Sequence, residues 1–149
     1  VLHANINQVN TSALSFFKVE SGNSIPLSAT EGNITLAFGY PAVKTQGISE
    51  SNKYPYTQWV YRGATINMQS GRMVNIDLKT PSYGFVFNGS VIKVGENIGK
   101  LKNIFPASFS VKSTRQILVG LNYNGEPIDS QILFDFNTHN QITCISLID

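Results

Sequence analysis

Strand signals dominate the hydrophobic pattern of this chain, in runs of β-favouring residues bounded by turn residues. In Met73–Leu78, Val74, Ile76 and Leu78 share one face while Asn75 and Asp77 share the other, which predicts an antiparallel sheet with one solvated side. Val60–Met68 precedes it as a second strand, and Gln69-Ser70-Gly71-Arg72 reads as the hairpin turn between them. Phe85-Val86-Phe87 and Val91-Ile92 flank Asn88-Gly89, a pair that tolerates the positive φ angles of a type I′ turn. Ile117–Leu121, Ile132–Phe136 and Ile142–Leu147 predict three more strands, the last two joined by the polar turn Asn137-Thr138-His139-Asn140. Ser15-Phe16-Phe17-Lys18-Val19 also reads as a strand.

Two short segments read as helices: Thr30–Phe38, ended by Gly39, and Glu96–Ile104, entered from Gly95. Pro41 and Pro106 follow them at places where a helix cannot continue. Glu31, Leu36, Tyr40 and Pro41 match Glu96, Leu101, Phe105 and Pro106 at a constant offset of 65 residues, and Met73–Leu78 matches Ile142–Leu147 at an offset of 69. This reads as a degenerate duplication of a helix, loop and strands unit, the alternative being chance recurrence of short helix-Pro-strand segments. The expectation is an α+β fold, two short helices packed on antiparallel sheet, with half-units 28–79 and 95–149 joined by a hairpin over 83–94. Residues 1–14, polar and without sustained periodicity, read as a tether. Equivalent faces make Val74, Ile76, Leu78, Ile145 and Leu147 core, with Cys144 on the face of Asn75.

The 149 residues suit one domain, and 42% hydrophobic against 13% charged residues supply a core that excludes wholesale disorder. A net charge of +2 with no basic run argues against nucleic acid as partner. One cysteine excludes an intrachain disulfide, and two histidines leave little for a transition metal, so neither metal nor cofactor is expected. No stretch reaches the roughly 18 to 20 apolar residues that cross a bilayer. Three Asn-x-Ser/Thr tripeptides, at Asn10, Asn33 and Asn88, fit chance in an Asn-rich chain.

Catalytic groups are sparse. Cys144 and His139 lie five residues apart along an extended segment, roughly 16 Å at about 3.3 Å per residue, too far for proton transfer. The thiol reads as a small half-buried hydrophobe. Asp129 and Asp135 flank one strand, and Glu31 and Glu96 suit the macrodipole at helix starts. The aromatic cluster is denser: Tyr54, Tyr56, Trp59 and Tyr61 fall together around Pro55, with Lys53 and Arg62 beside them and Tyr40 just before the same loop. Aromatics with arginine are the composition of a contact hot spot; the same rings can instead close one end of the core. Tyr40, Tyr54, Tyr56, Trp59, Tyr61 and Arg62 are the candidate partner-binding residues, and the loop from Gly47 to Gln58 the candidate recognition surface.

In the order Thr30-x-x-x-Ile34, Gly39-x-Pro41, Trp59-x-Tyr61, Gly71 and Val74-x-Ile76, the first unit resembles the small BamE-like (SmpA/OmlA) envelope lipoproteins. The tandem layout is similar to that of β-lactamase-inhibitor-protein-like molecules. The chain departs from the lipoprotein pattern in the strand-like segment before Ser28 and in having no cysteine near its start. The resemblance implies a non-enzymatic periplasmic or outer-membrane-associated protein that works by contact with another protein. Membrane attachment would come only through a lipid on a preceding segment. An inhibitor or immunity protein for a specific enzyme, and a binder of small apolar ligands, are the alternatives.

Overall fold

The computed structural model describes residues 5–148, and the architecture is α+β. Twelve strands run in chain order: β1 Gln8–Asn10, β2 Leu14–Lys18, β3 Ser24–Pro26, β4 Val43–Ile48, β5 Pro55–Tyr61, β6 Ala64–Gln69, β7 Arg72–Leu78, β8 Tyr83–Phe87, β9 Ser90–Lys93, β10 Gln116–Tyr123, β11 Glu126–Phe136 and β12 Ile142–Ile148. The helices are α1 Glu31–Phe38, α2 Gly99–Ile104 and α3 Pro106–Ser110, and a 3-10 turn spans Thr11–Ala13. One sheet has eight strands in the order β1-β10-β11-β12-β7-β6-β5-β4, and the other has four, β3-β2-β8-β9. All pairings are antiparallel except β1 with β10.

Local chemistry accounts for the elements. Thr30 caps α1: its hydroxyl accepts from the Asn33 backbone while the Asn33 side chain accepts from the Thr30 backbone. Gly39 ends the helix at φ 80°. Ser70-Gly71 and Asn88-Gly89 turn their hairpins with positive φ at both positions. Pro106 opens α3 at its first turn, where a missing N–H costs nothing, instead of only closing α2. That third helix was not expected. Nor was the turn at Arg62-Gly63, which splits Val60–Met68 between β5 and β6; β-rich letters on both sides hide it. Residues 5–14 are not a tether. Val9 is buried as β1 pairs with β10, Leu14 is buried, and Asn7 exchanges hydrogen bonds with Ser108, accepting from its backbone at 3.0 Å and donating to its hydroxyl at 2.8 Å. A three-residue strand with one buried side chain carries no period to read. Residues 1–4 lie outside the described part.

The two sheets enclose one core. Phe16 and Phe85 meet across β2 and β8 at 5.7 Å between ring centroids, Phe85 reaches Phe134 of the large sheet at 5.7 Å, and Phe134 reaches Phe105 at 6.1 Å. Ile76, Leu78, Ile145 and Leu147 are buried. Val74 is only half-buried, because it is the extra residue of a β-bulge that puts Met73 in the core in its place.

The element order repeats: a hairpin, then helix, then antiparallel strands, first from β2 to β7 and then from β8 to β12. Phe16 pairs with Phe85, and Asp77 pairs with Ser146, each 69 residues further along the chain. The bulges repeat at the same offset, Val74 in β7 and Thr143 in β12. The helices follow a different register from the one expected. Leu36 and Tyr40 are exposed while Leu101 and Phe105 are fully buried, so a 65-residue match fails. Burial aligns Ile34 and Phe38 with Leu101 and Phe105 instead. Backbone bonds agree: the Met73 amide donates to the Ala29 carbonyl and the Ile142 amide to the Glu96 carbonyl, each at 2.8 Å. The hairpin over 83–94 is therefore the opening of the second unit, equivalent to β2–β3, and not a linker.

Candidate functional site

The six candidate partner-binding residues do not stand together. Trp59 is 1% exposed and Tyr61 8%, both pointing into the core from β5. The Tyr61 hydroxyl donates to the Gly39 carbonyl at 2.8 Å and its ring meets Phe38 edge-on at 6.0 Å. Burial, and then the neighbouring Tyr83, raise the Tyr61 phenol well above its ordinary pKa. Lys44 lies over the Trp59 ring at 4.1 Å, covering it from the edge strand. Both residues are thus packing, not contact surface. Tyr40 is 83% exposed and Tyr54 67%. Arg62 shares with Tyr40 a shallow depression of about 660 Å³ that also takes in Lys18 and Glu20. Tyr56 is half-buried, its ring lying across Gly47, where a Cβ would sit 2.8 Å from the ring.

The stretch before Pro55, expected as a polar loop, contains β4, an edge strand of the large sheet. Its open edge is six residues long, against three for β1, three for β3 and four for β9. Of the ten large hydrophobic side chains exposed among the described residues, five fall between Leu36 and Tyr54: Leu36, Tyr40, Val43, Ile48 and Tyr54. Sequence reasoning missed Leu36 and Val43, and took in Ile48 only as part of the loop from Gly47 to Gln58. Val-Lys-Thr-Gln-Gly-Ile carries no period-two alternation, and all but Gly47 are exposed, so the local pattern does not mark the strand.

The groups that could do chemistry are arranged against it. The Ser146 hydroxyl lies 2.6 Å from an Asp77 carboxylate oxygen and 3.3 Å from Cys144 Sγ. Burial pushes the thiol up, the Ser146 hydrogen bond pulls it down, and Asp77 and Asp135 push it up again, so the net direction is upward and the thiol stays protonated. His139 is exposed in the β11–β12 turn, its backbone donating to Asn137. Among the described residues no three of His, Cys, Asp and Glu stand close enough to hold a metal. Glu96, expected in the first turn of a helix, precedes α2; its carboxylate accepts from the Lys93 backbone and from Lys100 Nζ at 2.8 Å.

Two clefts are of ligand size. An apolar groove of about 510 Å³ runs between Leu27, Val74, Leu121, Tyr123 and Ile128. A polar cleft of about 460 Å³ lies under the β4–β5 hairpin tip, against Asn67, Gln69 and Asn75.

No protein-family model matches the chain, and no curated protein matches it. Among solved structures the fold is similar to part of an extracellular protein containing a SCP domain from Bacillus anthracis str. Ames, with TM-score 0.45 and 10% identity. The match covers 83% of this chain and 44% of that one, so the chain spans less than half of that protein's length. No property of that protein passes to this chain at such a distance. No helix among the described residues is long and apolar enough to cross a membrane.

Proposed function

We propose that this chain is a non-enzymatic binding protein of the bacterial cell envelope, and that it takes an extended segment of another protein along β4. The observation that carries the reading is the coincidence, among the described residues, of the longest open sheet edge with half of the exposed large hydrophobics. Ser49 donates to the Tyr54 carbonyl, and Pro55, which has no N–H, lies opposite Ile48. Alternation from there turns Lys44, Gln46 and Ile48 outward, with their backbone groups toward the open edge. A partner strand would pair with those groups while Tyr40 and Tyr54, one at each end, supply aromatic anchors. Placement in the envelope rests on the resemblance of Thr30 to Ile76 to the BamE-like lipoproteins.

A photo-crosslinking side chain at position 54, compared with one at Val111, which is also exposed, tests the contact. One discrete adduct from position 54, lost in Gln46→Pro, is the expected result. Gln46→Pro removes an outward N–H without breaking the β4–β5 ladder. Adducts insensitive to Gln46→Pro, or equally abundant from position 111, would overturn the reading.

A further inference from the structure

The polar cleft beneath the β4–β5 hairpin is built differently from the edge that adjoins it. Its floor is the open face of β6 and β7, where Asn67 and Asn75 lie directly opposite each other. Each amide is fixed by a neighbour that uses one of its ends. Asn67 Oδ1 accepts from Gln58 Nε2 at 3.1 Å, leaving the Asn67 N–H groups free for a ligand. Asn75 Nδ2 donates to the Leu147 carbonyl at 3.4 Å, leaving its Oδ1 as an acceptor. A donor and an acceptor therefore stand side by side on adjacent strands.

The walls are fixed too. Asn52 at the hairpin tip and Gln69 at the end of β6 exchange two amide hydrogen bonds, at 3.1 and 3.3 Å, which latch the tip over the floor. The Tyr56 ring forms one side, held flat by the missing Cβ of Gly47. The β7 bulge turns Val74 out of the core and into the lining. Among the described residues the only charged side chain in the lining is Glu50, and none of them is a lysine or arginine.

The second unit shows what the framework does without these additions. Gln116 Nε2 donates to Asp135 Oδ1 at 3.1 Å, the counterpart of the Gln58–Asn67 pair, and Cys144 faces Asp135 where Asn75 faces Asn67. On that side the edge strand is the three-residue β1, so no hairpin roofs the pair. Carboxylate and thiol replace the two amides there. The amide pair and its roof are thus particular to the first unit and are not required by the fold.

We infer that this cleft binds a neutral oligosaccharide. Each sugar hydroxyl both donates and accepts, which matches an amide donor beside an amide acceptor. The apolar face of a pyranose ring fits against the Tyr56 ring and Val74. A carboxylate with no cation nearby disfavours phosphates and acidic sugars. The site adjoins the end of the β4 edge at Ile48, but its floor is on β6 and β7 and its occupant is a glycan, not a protein.

The test is a titration of the ¹⁵N-labelled full chain with chitotetraose, cellotetraose and maltotetraose, and with a hyaluronan tetrasaccharide as the anionic probe. Saturable shifts of the Asn67 and Asn75 side-chain amide signals with at least one neutral sugar, and none with hyaluronan, are expected. Asn67→Asp keeps the acceptor that Gln58 uses and reproduces the pairing found in the second unit, so the fold tolerates it. It should weaken sugar binding by at least about tenfold, because it replaces donors with a second carboxylate. Asn75→Ala serves as the second variant, with a loss of similar size. The inference is overturned if no neutral sugar saturates these signals by about 5 mM, if hyaluronan binds as well, or if both variants bind like the parent chain. Position 54 crosslinking should be unchanged in Asn67→Asp, which separates this site from the protein contact.

Discussion

Glu96 ties the approach to α2 together with both carboxylate oxygens, one on the Lys93 backbone and one on Lys100. Burial pushes its carboxyl up, but the bonds from Lys100 and Lys93 outweigh that and hold it below the ordinary 4.5. A carboxylate lowered on folding stabilises the native state fully above its unfolded value, and that contribution is lost as the pH falls through the folded value. Glu96→Gln should therefore lower stability by about 1 kcal/mol at neutral pH, the size of a partly exposed charged pair. Urea midpoints of parent and variant should converge as the solution is acidified below the folded value; a constant gap would refute the ionic account. Cys144 gives the opposite sign. Its raised thiol should react with iodoacetamide more slowly in the native protein than after unfolding. Asp77→Asn, which removes one of the charges that oppose the thiolate, should speed native alkylation several-fold.

At the scale of elements, the β5–β6 turn is the tightest constraint. Gly63 has φ 91°, and a Cβ there would lie 2.3 Å from Thr80 Oγ1. Gly63→Ala should cost about 1 to 3 kcal/mol, from backbone strain and the clash together, measured as a shift in urea midpoint. Gly71→Ala, whose Cβ meets open space, should cost less, since only the φ penalty remains. These two glycines also show how far the sequence could be read. Gly71 sits in a polar tetrapeptide between clean alternations, so its turn is legible. Gly63 sits between Trp-Val-Tyr-Arg and Ala-Thr-Ile, and its turn is set by the contact with Thr80, which no local pattern announces. The buried strands were legible because each carries a run of β-branched, aromatic or other apolar residues bounded by turn residues. β1, β3 and β4 were not, since they are short or exposed and are held mainly by backbone pairing. The same limit hid the candidate site. Tyr56, Trp59 and Tyr61 look alike as letters, yet strand parity sends Trp59 and Tyr61 inward and Tyr56 outward, and Asn67 and Asn75 meet only once β6 and β7 are in register.

At the scale of the molecule, the two units are joined by sheet and not by a linker. β2 pairs with β8 in the small sheet and β7 with β12 in the large one, so each unit supplies the neighbour that would otherwise be an open edge of the other. The aromatic chain from Phe16 through Phe85 and Phe134 to Phe105 crosses the same seam. Splitting the units would expose four strand edges, those of β2, β8, β7 and β12, and the fully buried faces of Phe16, Phe85 and Phe134, which opposes independent unfolding. Trp59 lies in the first unit, as the chain's one tryptophan, and Ile132 lies fully buried in the second. Ile132→Val removes one methyl and should destabilise by about 0.5 to 1.5 kcal/mol. If the units unfold as one, the urea midpoint reported by Trp59 fluorescence shifts by the same amount as the midpoint reported by far-ultraviolet circular dichroism. A Trp59 midpoint left unmoved while the dichroism midpoint falls would show two units folding separately, with the seam contributing little.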